Sequence, residues 1–162
     1  MTEPKIEFLR EKKLVGKHLS MSVNEDRTFE LWKSFMPARK SIKNQLSSDL
    51  FCLQVYDPPF DIATLTRDTM FQKWAAAEVA ALTEVPDGME GLALPGGLYA
   101  VFLYRGRPAD FAPSFQHIFK TWLPQSGYQI DHRPHFQILG SRYKNDDPES
   151  EEEVWVPIRK EN

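Results

Sequence analysis

Cysteine is almost absent. Cys52 is the only one in 162 residues, so no internal disulfide can form. It sits in the apolar run Leu50-Phe51-Cys52-Leu53, where a small buried core residue is expected. No apolar run approaches the roughly 20 residues that a membrane-spanning helix needs. Met1-Thr2-Glu3-Pro4-Lys5 lacks the basic region and apolar stretch of a secretory signal, so a cytoplasmic setting without a membrane anchor is expected. Positive charge is also in deficit: 20 Lys and Arg against 23 Asp and Glu leave a net charge of −3. A surface that tracks phosphates needs clustered cations. The one local surplus, Lys33, Arg39, Lys40 and Lys43, reads as the solvated side of a helix. Glycine falls in turns, at Gly88, Gly91, Gly96 and Gly97, and forms no phosphate-cradling loop. His132 and His135 are close in sequence but have no third ligand at metal-binding spacing. Ser114, His117 and Asp110 lack a nucleophile elbow and read as helix start and surface. Neither a metal nor a cofactor is expected.

What is present is a repeat. Leu31-Trp32-Lys33-Ser34-Phe35-Met36-Pro37 returns as Ile118-Phe119-Lys120-Thr121-Trp122-Leu123-Pro124, with the residue type kept at every position. Duplication suggests two similar half-domains facing each other across a ligand cleft. Hydrophobic content of 41% and charged content of 27% are ordinary for one soluble domain. Aromatics at 12% are abundant enough for an aromatic-lined pocket as well as a core.

The two halves run in parallel, at about residues 5–85 and 86–160 of a single domain over 1–162. In the first, residues 5–9 and 13–21 read as extended, and Asn24-Glu25-Asp26 offers helix N-caps. Phe29, Trp32, Phe35 and Met36 fall at helical spacing as one apolar stripe, and Pro37 should end or kink the helix. Residues 50–56 and 70–80 follow as strands, with the turn Asp57-Pro58-Pro59 after the first. Pro86-Asp87-Gly88 and Pro95-Gly96-Gly97 mark the seam. The second half gives a strand at 98–104, then a helix through Phe111, Phe115, Ile118, Phe119 and Trp122 that stops near Pro124. Strands at 136–139 and 152–158 close it, separated by the turn Asp146-Asp147-Pro148. Each half is strand–helix–strand–strand, and the whole is α+β, a curved antiparallel sheet with two outer helices.

Alternation along the last strand puts Val154, Val156 and Ile158 on one face and Glu153, Trp155 and Pro157 on the other. In the first half Phe71, Ala75, Ala77 and Val79 oppose Gln72, Trp74, Ala76 and Glu78, making Trp74 the counterpart of Trp155. Gln54 and Gln137 pair the short strands in the same way. If the faces bearing the tryptophans look inward, they form a cleft of two indoles, two glutamines and up to two glutamates. Such a cleft suits a flat apolar ligand, above all a cationic one, through ring area, cation–π attraction and a charge-assisted contact. The same residues also read as a solvated acidic run, with Trp155 shielding a sheet edge.

The ending Pro148-Glu149-Ser150-Glu151-Glu152-Glu153-Val154-Trp155-Val156-Pro157-Ile158 resembles the C-terminal signature of the GyrI-like, or AraC-type effector-binding, family. Residues 95–102 resemble its mid-domain turn and strand, and 121–128 the end of its second helix. The resemblance runs over nearly the whole chain. It implies tandem strand–helix–strand–strand modules about a pseudo-two-fold axis, with a central cleft for hydrophobic, often cationic, drug-like molecules. Carried over, Glu153 and Trp155 match the terminal motif and Tyr99 the mid-domain motif. Phe136 is followed by Gln137 where many members carry Glu, which removes one carboxylate.

The expected ligand-binding set is therefore Trp74, Glu78, Tyr99, Gln137, Glu153 and Trp155. The two modules fill the chain, leaving no room for the helix-turn-helix domain of regulator members, so direct nucleic-acid binding is not expected. Two alternatives stay open. One is hydrolysis of cyclopropane-type alkylating toxins, with Glu153 as general acid or base. The other is modulation of a protein partner such as DNA gyrase through residues 86–97.

Overall fold

The computed structural model describes residues 2–58 and 60–161. Nine strands form one antiparallel sheet: β1 (Lys5–Leu9), β2 (Lys12–Met21), β3 (Leu50–Val55), β4 (Phe71–Val79), β5 (Glu90–Leu94), β6 (Gly97–Arg105), β7 (Tyr128–Ile130), β8 (His135–Leu139) and β9 (Glu151–Lys160). Their order is β1-β6-β9-β8-β3-β4-β2-β5, with β7 added to the end of β9. Expected strands appear within a few residues of their predicted ends. Beyond them, β5 forms inside the turn-rich seam and β7 follows the second helix. Pro59, part of the expected turn, lies outside the described residues.

Connectivity forces the sheet to bend. β1 and β2 stand near opposite ends of the order yet are joined by Arg10 and Glu11 alone, and Pro95 and Gly96 alone join β5 to β6. Two residues cannot span a flat sheet of eight strands at about 4.8 Å per strand. The ends therefore approach each other, so closely that a Cβ at Gly96 would lie 2.6 Å from the carbonyl oxygen of Leu9. Inside the bend, Leu9, Leu14, Leu53, Trp74, Leu94, Tyr99, Phe136 and Trp155 make one buried cluster from both halves. Arg133 closes it, donating to the carbonyls of Gly96 (3.1 Å), Leu98 (2.7 Å) and Ile158 (3.0 Å) with its guanidinium 4.6 Å from the Tyr99 ring centre.

Both helices pack on the outer face of the bend. α1 (Thr28–Ala38) seats Leu31 and Phe35 on Val15, Ala75, Ala77 and Val79. The N-cap position falls to Arg27, one residue after the expected candidates and without a side-chain cap, while Asp26 just before it accepts from the Thr28 amide (2.9 Å), satisfying an otherwise orphan donor of the first turn. The predicted stripe needs correction: Phe35 is buried, but Phe29 is 80% exposed and Met36 is exposed, so Leu31 and Phe35 carry the packing. Pro37 does not end the helix but sits inside its last turn, and a 3-10 turn (Arg39–Ser41) continues it.

The second helix starts as α2 (Ala112–Gln116), widens into a π-helical stretch (His117–Trp122) and closes as α3 (Leu123–Gln125). Here too the repeated proline, Pro124, lies within the helix. Ile118 and Phe119 pack on Phe102, Val154, Val156 and Ile158. No helix of the described residues is long and apolar enough to cross a membrane.

The bend leaves no room for a side chain at Gly16 in β2, where a Cβ would meet the Ala75 oxygen at 2.0 Å and Ala76 Cα at 2.7 Å. Gly16→Ala should cost about 1–3 kcal/mol, as overpacking does. Urea denaturation measures it, and an unchanged midpoint would mean that β2 and β4 are less tightly apposed.

Candidate functional site

The halves join where β3 pairs with β8, Cys52 opposite Gln137 and Gln54 opposite His135. Across this seam Gln54 and Gln137 exchange side-chain hydrogen bonds of 2.9 and 3.2 Å, each amide donating to the other's oxygen. Above the pair, between the two helices, lies a cleft of about 330 Å³. Its floor is the outer sheet face: Cys52 and Gln54, Phe71 and Lys73, His135 and Gln137, then Glu152, Val154 and Val156. Its walls are Thr28 and Trp32 of α1, and Phe111, Phe115, Ile118 and Phe119 on the other side. Tyr56, Phe60 and Tyr143 come from connections.

Trp32 and Phe119 occupy the same position of the repeated heptapeptide and face each other as opposite walls. The repeat therefore carries part of the site as well as the packing. A wider depression of about 440 Å³ lies over Lys17, His18, Arg27, Glu30 and Glu90. Its lining mixes charged residues with glycines and leucines, and Arg27 pairs with Glu30 and His18 with Glu90. The aromatic cleft is the better candidate because apolar walls around a few polar groups are what ligand sites present.

One carboxylate enters the cleft. Glu152 shares the face of Val154 and Val156, and burial pushes its carboxyl up to about 7 although Lys73 pulls the other way. Among the described residues Glu152 has no side-chain hydrogen bond or ion pair. Lys73 is engaged elsewhere, donating to the Thr28 hydroxyl at 2.8 Å, and that hydroxyl in turn donates to Asp26. Near Glu152, burial first and then the carboxylate's charge raise the Tyr143 hydroxyl. Burial pushes Tyr56 up to about 12 and raises the Cys52 thiol, so both stay protonated.

The expected site residues divide. Gln137 is on the cleft floor, and Trp155 borders it between Val154 and Val156. The Trp155 ring, however, points into the bend, 5.3 Å from Phe136 and 5.7 Å from Tyr99, with its indole N–H donating to Glu153 at 2.9 Å. Trp74 and Tyr99 lie in the same interior cluster. Glu78 pairs with Lys12 at 3.2 Å and Glu153 is exposed, both away from the cleft. The alternation of faces and the pairing of Trp74 with Trp155 hold in the strand registers, Leu53 opposite Trp74 and Phe136 opposite Trp155. What differs is the use of the two faces: the indole faces turn inward but fill a packed core, and Gln54 and Gln137, opposite Lys73 and Val154, share the alternate, outward face instead of the indole face. Glu152 was available to the same pattern, one residue from Glu153 and in series with Val154 and Val156.

The sequence profile of the GyrI-like small molecule binding domain matches residues 2–159. The chain belongs to the GyrI-like family. Among curated GyrI-like relatives, the transcriptional regulator BrlR of Pseudomonas aeruginosa is 27% identical over 148 residues, 90% of this chain and 51% of BrlR. A DNA gyrase inhibitor of Erwinia billingiae is 36% identical over 83 residues, 48% of this chain and 51% of that protein. The aligned stretches thus span about half the length of these relatives.

Among solved structures the fold matches the EcmrR C-terminal domain with a TM-score of 0.73 at 12% identity, covering 98% of both chains. It matches SAV2435 bound to tetraphenylphosphonium with a TM-score of 0.72 at 13% identity, over 98% of this chain and 94% of that one. A hydrolase from Listeria innocua gives 0.61 at 11% identity, over 97% and 92%. The GyrI-like fold seen here is an open sheet of nine antiparallel strands with two helices, and the chain is a small-molecule-binding domain of that family.

The raised Glu152 carboxyl has a consequence for stability. Below about pH 4.5 the group is protonated folded and unfolded alike; as pH rises towards 7 the unfolded chain releases a proton that the folded one still holds. Glu152 therefore stabilises at low pH and loses that contribution as pH rises through about 7. Urea unfolding from about pH 5 to about pH 8 should show a decline that is shallower in Glu152→Gln. Identical slopes would mean that the carboxylate is solvated.

Proposed function

We propose that the cleft captures hydrophobic, aromatic organic cations, with Glu152 as the counter-charge and Trp32, Phe119, Tyr56 and Phe71 as the ring surfaces. The observation that carries this reading is Glu152 itself, an unpaired carboxylate among aromatic walls whose burial disfavours its charge. A bound cation restores that charge and replaces the lost water, so ligand and ionised carboxylate stabilise each other. Aromatic rings add about 0.5–2 kcal/mol per cation–π contact. The structural likeness to a protein bound to tetraphenylphosphonium supports the same ligand class. Gln137, on the floor, and Trp155, behind it, keep supporting parts. Trp74 and Tyr99 contribute by filling the bend, and Glu78 and Glu153 take no part in the cleft.

Tetraphenylphosphonium titrated against tryptophan fluorescence tests this. Affinity should rise as pH increases through about 7, where Glu152 ionises, and Glu152→Gln should weaken binding about tenfold or more and flatten the pH profile. Glu153→Gln should leave both unchanged. Binding that ignores Glu152 but fails in Glu153→Gln would put the ligand in the bend instead.

A second reading is hydrolysis of a strained alkylating electrophile. It is favoured by the near-neutral carboxyl of Glu152, able to hold or release a proton at ordinary pH, and by Tyr143, which feels its charge. Recovery of altered ligand from the wild type, and of intact ligand from Glu152→Gln, would select it over capture alone. The partner-binding reading has its expected surface in residues 86–97, largely edge strand β5, so cleft variants leave it untouched.

A further inference from the structure

One polar group in the cleft has no assigned use. His135 on β8 is 8% exposed, and its Nε2 is buried without a hydrogen-bond partner among the described residues. Three aromatic rings surround it, with centroids at 4.6 Å (Phe60), 5.7 Å (Tyr56) and 6.0 Å (Phe119). Such a cage offers no hydrogen bond, and buried polar atoms left unpaired in native proteins call for an explanation. A packing role alone does not need an imidazole. The pseudo-symmetric position in the other half, across the same seam, is Cys52.

The cage is also a partition. A second, smaller cavity of about 70 Å³ lies behind it and shares Tyr56, Phe60 and His135 with the cleft. Of the rings around His135, Tyr56 and Phe60 both sit on the connection between β3 and β4, but Tyr56 directly follows the end of β3 whereas Phe60 lies five residues beyond it. Phe60 is therefore the ring with the least framework to hold it.

We propose that His135 is a hydrogen-bonding subsite of the cleft, taking a neutral hydroxyl or N–H group carried by the aromatic cation, and that this group displaces the Phe60 ring to reach Nε2. The inference rests on the cation-binding reading and narrows its ligand class to cations with a polar group at the end away from the charge. Burial pushes His135 down to about 3, so the ring stays neutral and does not repel the cation. The span is suitable. His135 lies level with Val156, four residues along β9 from Glu152, or roughly 13 Å at strand spacing. A phosphonium resting on Glu152 and a para-hydroxyl on one of its phenyl rings divide that span between them. A hydroxyl both donates and accepts, so it pairs with either tautomer of the imidazole.

The test compares tetraphenylphosphonium with (4-hydroxyphenyl)triphenylphosphonium on wild type, His135→Phe and His135→Gln. The hydroxylated cation should bind wild type about tenfold more tightly, the size of one buried hydrogen bond. The ratio should fall to about one in His135→Phe and recover in part in His135→Gln. In wild type the Nε2 nitrogen resonance should move with the hydroxylated cation and stay in place with its parent. Equal affinities in wild type, or a ratio that survives in His135→Phe, would overturn the subsite while leaving capture of cations standing. Failure of both cations to bind wild type would sink the cation reading and this inference with it.

Discussion

Burial of Trp74, Tyr99, Phe136 and Trp155 inside the bend decides where every other side chain points. Aromatic side chains of this size dominate core energetics, and four of them gathered from β4, β6, β8 and β9 can share one interior only if the sheet curves around them. The two-residue links at Arg10-Glu11 and Pro95-Gly96 hold that curvature, and Arg133 bonds across the closure. Strand alternation then does the rest. With Trp155 inside, Glu152 and Val154 must be outside, on the face the helices cover. The cleft exists because the helices touch the sheet over β2 and β4 on one side and over β6 and β9 on the other. Between them the seam of β3 and β8 is left roofed by side chains alone.

The same constraint gives the cleft its electrostatics. Each half contributes the same scaffold, but the chemistry is unequal at matched positions. Lys73 and Val154 are counterparts by register, as are Cys52 and His135 and, by extension, Phe71 and Glu152. Lys73 finds Thr28, which itself donates to Asp26, so its charge is answered within one half. Glu152 receives no such partner. Its carboxyl titrates near neutrality because the cleft withholds water and supplies only a distant cation. Duplication built a symmetric container, and divergence made one end of it acidic.

Much of this was legible in the sequence. The repeated heptapeptide located both helices, the alternation in residues 70–80 and 152–158 sorted the faces correctly, and the motif at 148–158 pointed to the family. Which face would stay open was not legible, because period-two alternation distinguishes two faces without saying whether the inward one closes into a packed core. That outcome depends on how many large side chains from strands far apart in sequence meet inside the bend, a long-range property. It is why the alternation pointed to Glu153 and Trp155 while Glu152 is the carboxylate that lines the cleft. Phe60, Tyr56 and Tyr143 were invisible for another reason: they lie on connections, where no periodicity reports what a side chain faces. Pro37 and Pro124 marked the helix ends to within a residue, since the α-helical turns close at Ala38 and Gln125.

The central claim is that the ligand lies on the outer face, against Glu152, with the indoles of Trp74 and Trp155 behind the sheet. A crystal structure of the complex with tetraphenylphosphonium addresses it most directly. The phosphonium is expected between Trp32 and Phe119, over the Gln54–Gln137 pair and beside the Glu152 carboxylate. Density for the cation inside the bend, stacked on Trp155 or paired with Glu153, would contradict it.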